Sequence, residues 1–161
     1  MPRLLNLTAS ILVTAGSLAL AADKYSGPRP PKADILYLMH ADTLIETEVG
    51  EAKEESRKGQ NAAISSGASS PARTPLPEPV LLVKVDKLAV DKLAAYRYEV
   101  RNGNREVVIP TNKRKNFKPI YSNVTRLEDG LYKVEVDQIL EPGEYCFSPD
   151  GSNQTFSFQV Y

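Results

Sequence analysis

The chain has 161 residues, with 20 basic and 20 acidic side chains and a formal net charge of zero. That balance gives no global electrostatic reason to bind nucleic acid or an anionic membrane surface. One cysteine and one histidine exclude an intramolecular disulfide and leave too few ligands for a tight metal site, so no metal is expected.

The chain opens on a pattern of export. Arg3 supplies a positive start, Ile11 to Leu20 is apolar, and Ala19-Leu20-Ala21 is a small-x-small cleavage site before Ala22-Asp23. The apolar stretch is about half of the ~20 residues a bilayer span needs, and no cysteine follows the cleavage site to carry a lipid. Residues 1–21 are therefore expected to be a cleaved signal peptide, and the mature protein to be periplasmic or secreted with no membrane insertion. Cleavage leaves 140 residues, with 19 basic against 20 acidic side chains, a length that can build one core without a covalent staple.

Residues 22–33 form a Pro-rich leader, extended and without a backbone ladder of its own. Ile35 to Met39 is an apolar run of strand length. From Leu44 to Lys58 two readings stand: a charged helix with Glu54 and Lys58 at i,i+4, or a polar hairpin. Period-two recurrence of Thr43, Ile45, Thr47 and Val49, with turn chemistry at Lys58-Gly59-Gln60-Asn61, favours the hairpin. Residues 34–66 are thus read as an N-terminal β arm that adds strands to the sheet or packs on it. Residues 67–79 hold four prolines in nine positions from Pro71, an extended linker that cannot join a central strand.

Everything from 80 to 161 is β-patterned. Val80 to Val85 is a continuous apolar strand. Tyr96, Tyr98 and Val100 alternate with Arg97, Glu99 and Arg101 before an Asn102-Gly103 hairpin turn, and Glu106 to Ile109 returns. Ile120 to Leu127 is a further strand, followed by the turn Glu128-Asp129-Gly130. Tyr132, Val134 and Val136 alternate with Lys133, Glu135 and Asp137, the mark of a strand wet on one side. Glu144 to Ser148, the turn Pro149-Asp150-Gly151 and the strand carrying Phe156, Phe158 and Val160 close the chain. Such spacing of strands and turns predicts an antiparallel β-sandwich.

The stretch Leu140-Glu141-Pro142-Gly143-Glu144-Tyr145 resembles the corner before the penultimate strand of immunoglobulin-like and fibronectin-type sandwiches. The resemblance implies that Pro142 and Gly143 shape a corner in which the Tyr145 hydroxyl bonds back to nearby backbone. With no tryptophan and no cysteine pair, a true antibody-type domain is excluded. The whole chain also resembles secreted bacterial β-sandwich proteins that carry a Pro-Gly-Glu-Tyr phrase near the C-terminus and an aromatic-rich last strand. That resemblance brings no activity and no cofactor with it.

Catalytic chemistry is thinly provided for, and the chain is expected not to be an enzyme. His40, with Asp42 two residues on, would share one face of an extended segment, but a triad has no Gly-x-Ser-x-Gly elbow to build on. Phosphate-cradling glycine loops are absent as well. Cys146 lies in an apolar strand with no Lys, Arg or His within five residues, so a buried hydrophobe is favoured over a reactive thiol.

The most lopsided segment is Lys113-Arg114-Lys115-Asn116-Phe117-Lys118, which Arg101 and Arg105 of the neighbouring hairpin would extend into an anion-binding surface. Residues 121–161, by contrast, carry two basic and seven acidic side chains, a dipolar arrangement. Two functions follow as expectations. The first is a non-enzymatic exported domain acting on another protein or a cell-surface component; the alternative is a module that binds a small ligand or acidic glycan through loop 113–118.

Overall fold

A computed structural model describes residues 24–111 and 117–161. The expected signal peptide therefore lies outside the described residues, as do Lys113, Arg114 and Lys115. Within them the protein is all β and its sheets are antiparallel, apart from one short parallel pairing and one parallel bridge. Among the described residues, the only helical turn is the three-residue 3-10 segment Val90–Lys92.

The leader reaches Ala33, which bridges Lys84, and Asp34 then anchors the chain: its carboxylate accepts backbone N–H bonds from Asp86, Lys87 and Leu88. Strand β1 (Leu36–His40) follows and turns back at Ala41-Asp42. Residues 43–57 are extended rather than helical, and they serve three sheets in succession. β2 (Thr43–Glu46) pairs with β1, β3 (Glu48–Glu51) leaves for a second sheet, and β4 (Lys53–Arg57) leaves for a third. Each change of sheet is pinned by a backbone bond, Thr47 to the Leu36 carbonyl and Ala52 to the Asn153 carbonyl. The polar hairpin is then completed by β5 (Gln60–Ser65), across a turn where Gly59 has φ of +80°.

In the Pro-rich linker, only Arg73–Thr74 forms a strand, β6, lying parallel along one border of the second sheet. The apolar run becomes β7 (Val80–Lys84), central in the first sheet between β1 and a later strand. The run expected as one strand across Tyr96 to Arg101 is divided at Tyr98. β8 (Leu93–Arg97) belongs to the second sheet and β9 (Glu99–Arg101) to the third, where it pairs with β10 (Asn104–Pro110). Asn102 and Gly103 both take positive φ, 49° and 75°, as the hairpin turn requires. β11 (Ser122–Glu128), β12 (Leu131–Val136), β13 (Gly143–Pro149) and β14 (Gln154–Val160) finish the chain.

Three layers result. The front sheet runs β11-β12-β7-β1-β2, the central sheet β3-β14-β13-β8 with β6 beside β14, and the back sheet β4-β5-β10-β9. Residues 34–66 thus supply strands to all three. Front and central sheets enclose the main core, in which Leu36, Leu38, Leu81, Val83 and Val134 meet Phe147, Phe156 and Phe158. Alternate residues of the same central strands, Cys146 and Ser157, face the back sheet and are also buried. Burial on both faces explains the unbroken buried runs of β13 and β14. The wet-on-one-side pattern of β12 holds: Val134 and Val136 are in the core, while Lys133 and Glu135 form an ion pair on the other face.

Candidate functional site

The corner at residues 141–145 is assembled as its sequence implied. The Tyr145 hydroxyl donates to the Glu141 carbonyl at 2.7 Å. Arg97 donates to the Glu141 carboxylate and the Pro142 carbonyl, and its guanidinium lies over the Tyr145 ring at 5.8 Å. A side chain at Gly143 would come within 3.4 Å of that guanidinium, so Gly143 gives Arg97 room to cover the corner.

The basic candidates among the described residues, Arg101, Arg105 and Lys118, do not form one surface. Arg105 is 1% exposed, which corrects its expected place on an anion-binding surface. Its guanidinium grips Glu48 with two bonds of 2.7 and 2.8 Å, donates to the Ser66 and Gly67 carbonyls, and stands 3.9 Å from Glu144. With every donor group committed inside the fold, it has nothing to offer a ligand. Arg101 is exposed and paired with Glu99. It sits at the start of the hairpin, whereas Lys118 comes after the far end of β10. The whole of that seven-residue strand, roughly 20 Å long, lies between the two along the chain.

Arg105 belongs to a polar network between the central and back sheets. Glu144, 5% exposed, accepts from the Ser69 hydroxyl and the Ser70 backbone N–H. The Tyr98 hydroxyl lies between Ser65 and Ser157 at 2.9 and 3.0 Å, and Arg105 covers its ring at 5.6 Å. Burial pushes the Tyr98 phenol up. Burial also opposes ionisation of Glu48, but the hydrogen bonds from Arg105 and Ser70 outweigh it and hold the carboxyl below its ordinary range. Among the described residues, no buried side-chain polar atom lacks a partner. This is the chemistry of an internal fastening. Sequence reading missed it, because the alternation around Arg105 does not say which face of β10 is covered.

His40 does not share an extended face with Asp42. The chain reverses at Ala41, φ 49°, Asp42 is exposed, and the His40 Nε2 lies 2.7 Å from the Thr74 hydroxyl. Among the described residues, no three His, Cys, Asp or Glu side chains gather as a metal site. Cys146 is 1% exposed, and burial pushes its thiol up to about 12. It is held neutral at physiological pH.

Two surface features remain. The first is a cleft of about 280 Å³ between the central and back sheets, with Tyr96, Tyr98 and Cys146 on one wall and Ala63, Val107 and Ile109 on the other. It exists because small side chains face one another there: Ala52 and Ala63 from the back, Cys146, Ser148 and Thr155 from the centre. Phe117 stacks on Tyr96 at 5.6 Å with planes 8° apart.

The second lies at the end of the main sandwich where the chain crosses between front and central sheets. The linker crosses there from β6 to β7, and residues 137–142 cross back from β12 to β13. The Leu140 backbone bonds to the Pro77 carbonyl, Asp137 to Tyr121, and Tyr161 to Thr74. Four large apolar side chains are exposed at this end: Ile139 at 71% and Leu76 at 42% on the two connections, Tyr121 at 66% just before β11, and Tyr161 at 57% just after β14, one face of its ring covered by the Arg73 guanidinium at 4.3 Å. Sequence alone does not connect them: it places Leu76 in the linker, Ile139 in a loop, Tyr121 in an expected strand and Tyr161 beside the last strand.

Comparison with known proteins decides nothing further. No family model, curated protein or solved structure matches this chain. The described residues also contain no helix long and apolar enough to cross a membrane.

Proposed function

We propose that this protein is an exported, non-enzymatic β-sandwich that acts by contact with another protein or a cell-surface component. The observation that carries the reading is the collection of Ile139, Tyr121, Tyr161 and Leu76 at one end of the sandwich. Single exposed apolar residues are ordinary, but several on converging connections mark a contact surface. Pro75 and Pro77 stiffen the linker there, so little ordering entropy would oppose binding. Export rests on the pattern of residues 1–21. An immunoglobulin-like type for the sandwich rests on the Tyr145 corner.

The test is recovery of partners from envelope extracts of the native host by cross-linking to the processed protein. An Ile139→Asp/Tyr121→Ser variant should lose the cross-linked species while keeping its thermal transition. A variant with Lys113, Arg114 and Lys115 changed to Gln should keep them. If the first variant retains its partners, and salt together with the second variant removes them, contact runs through the basic loop and an acidic glycan or protein face becomes the better reading.

A further inference from the structure

We infer that the cleft between the central and back sheets is a binding site for a small organic cation with an aromatic or branched apolar body. The inference starts from strand register. Glu54 of β4 pairs with Ala63 of β5, and Ala63 with Val107 of β10. Cross-strand partners share a face, so the Glu54 carboxylate lies on the cleft side of the back sheet, beside the apolar wall. Asp150, exposed in the turn between β13 and β14, lines the same cleft. Among the described residues, its lining includes these two carboxylates and no lysine, arginine or histidine.

The walls suit the body of such a ligand. Val107, Ile109 and Ala63 are apolar, and Tyr96 and Tyr98, each with one ring face already covered, by Phe117 and by Arg105, contribute their remaining aromatic surface, which attracts cations. The Tyr98 hydroxyl is already engaged by Ser65 and Ser157, so this residue offers the cleft its ring rather than a donor. Among the described residues, the buried cation nearby is Arg105, and it is outnumbered by Glu48 and Glu144. Carboxylates at the edge of an apolar recess concentrate field within it. At about 280 Å³, the cleft is at the lower end of small-molecule sites, roughly 300 Å³ and up, which points to one ring or one branched group with its charge. The site lies between different sheets from the apolar end proposed for protein contact, and either could stand without the other.

Three probes of one shape test it: benzyltrimethylammonium, its neutral isostere neopentylbenzene and the anion benzylsulfonate, titrated into the full mature protein and followed by NMR. The cation should bind with shifts confined to Tyr96, Tyr98 and the strands around them, about tenfold more tightly than the neutral isostere. Glu54→Gln/Asp150→Asn, both at exposed positions, should remove most of the cation's advantage over the neutral probe. Ala63→Leu should weaken both probes by filling the cleft. Should that variant not fold, the carboxylate pair still decides the matter. Equal or tighter binding of benzylsulfonate, equal binding of all three, shifts located elsewhere, or no binding at all overturns the inference.

Discussion

The central sheet is buried on both faces, and the two faces are held by opposite chemistry. Toward the front sheet it presents Phe147, Phe156 and Phe158 to leucines and valines. Toward the back sheet it presents Glu144, Ser157 and Cys146 to Arg105, Ser65 and Val107. The first interface draws its strength from apolar area removed from water and accepts substitutes of similar volume. The second has a net charge to keep neutralised and a set of directional bonds to keep complete, so it specifies one arrangement but fails if a single partner is lost.

The sharpest way to separate the two is one deletion on each side. Phe147→Ala should cost about 3–5 kcal/mol as a core cavity, and Arg105→Ala about 3–5 kcal/mol because it leaves Glu144 and part of Glu48 buried without their counter-charge; urea midpoints measure both. Only the second loss should shrink when Glu48→Gln and Glu144→Gln are added. If Arg105→Ala changes stability by less than about 0.5 kcal/mol, a value typical of neutral surface changes, the fastening is not what holds the back sheet.

A smaller pair removes one hydroxyl from each side. Tyr98→Phe strands the hydroxyls of Ser65 and Ser157, 7% and 2% exposed, and should cost about 1–3 kcal/mol. Tyr145→Phe frees the carbonyl of Glu141, whose residue is exposed to water, and should cost about 0.5–1.5 kcal/mol. A larger loss from Tyr145→Phe in thermal melts would reverse the ranking of the two faces.

Acid should separate the faces by order of opening. Arg105 and Ser70 hold Glu48 below its ordinary range despite burial, so its contribution is present above about pH 4–5 and is lost as pH falls through the lower folded-state value. On the front side Glu46 and Glu128 are lowered too, by Lys32 and Arg29, but those are surface pairs of small worth. Amides of β5 and β10 should therefore exchange before those of β7 and β12 between pH 5 and pH 3. Simultaneous exchange of both sets would mean that the layers open as one unit. Cys146 gives the least demanding check: its neutral, buried thiol should not react with a chromogenic disulfide at pH 8 until the back sheet is displaced.

Much of this fold was legible in the sequence, for physical reasons. Period-two alternation and the turns at Asn102-Gly103, Asp129-Gly130 and Asp150-Gly151 depend on local backbone preferences, and every one of these turns formed. What alternation cannot report is which sheet a strand joins. Tyr96 and Arg101 sit in one pattern, yet the chain changes sheets between them at Tyr98, and Arg105 reads as a surface cation until the back sheet covers it. Ser157 likewise looks like the wet side of the last strand. The exposed end was hidden for a related reason, since Leu76, Tyr121, Ile139 and Tyr161 become neighbours only through long-range crossovers.

The extended run from Thr43 to Arg57 also bears on how the molecule is made. Its middle piece, β3, pairs with β14, so that Val49 finds its partner in Phe156, 107 residues further along the chain. Early strands must wait for the last one before either face of the central sheet can close. Contacts of such sequence separation make folding slow. A chain that cannot finish folding until its β14 segment arrives stays threadable along its length, which suits the export proposed above from the pattern of residues 1–21.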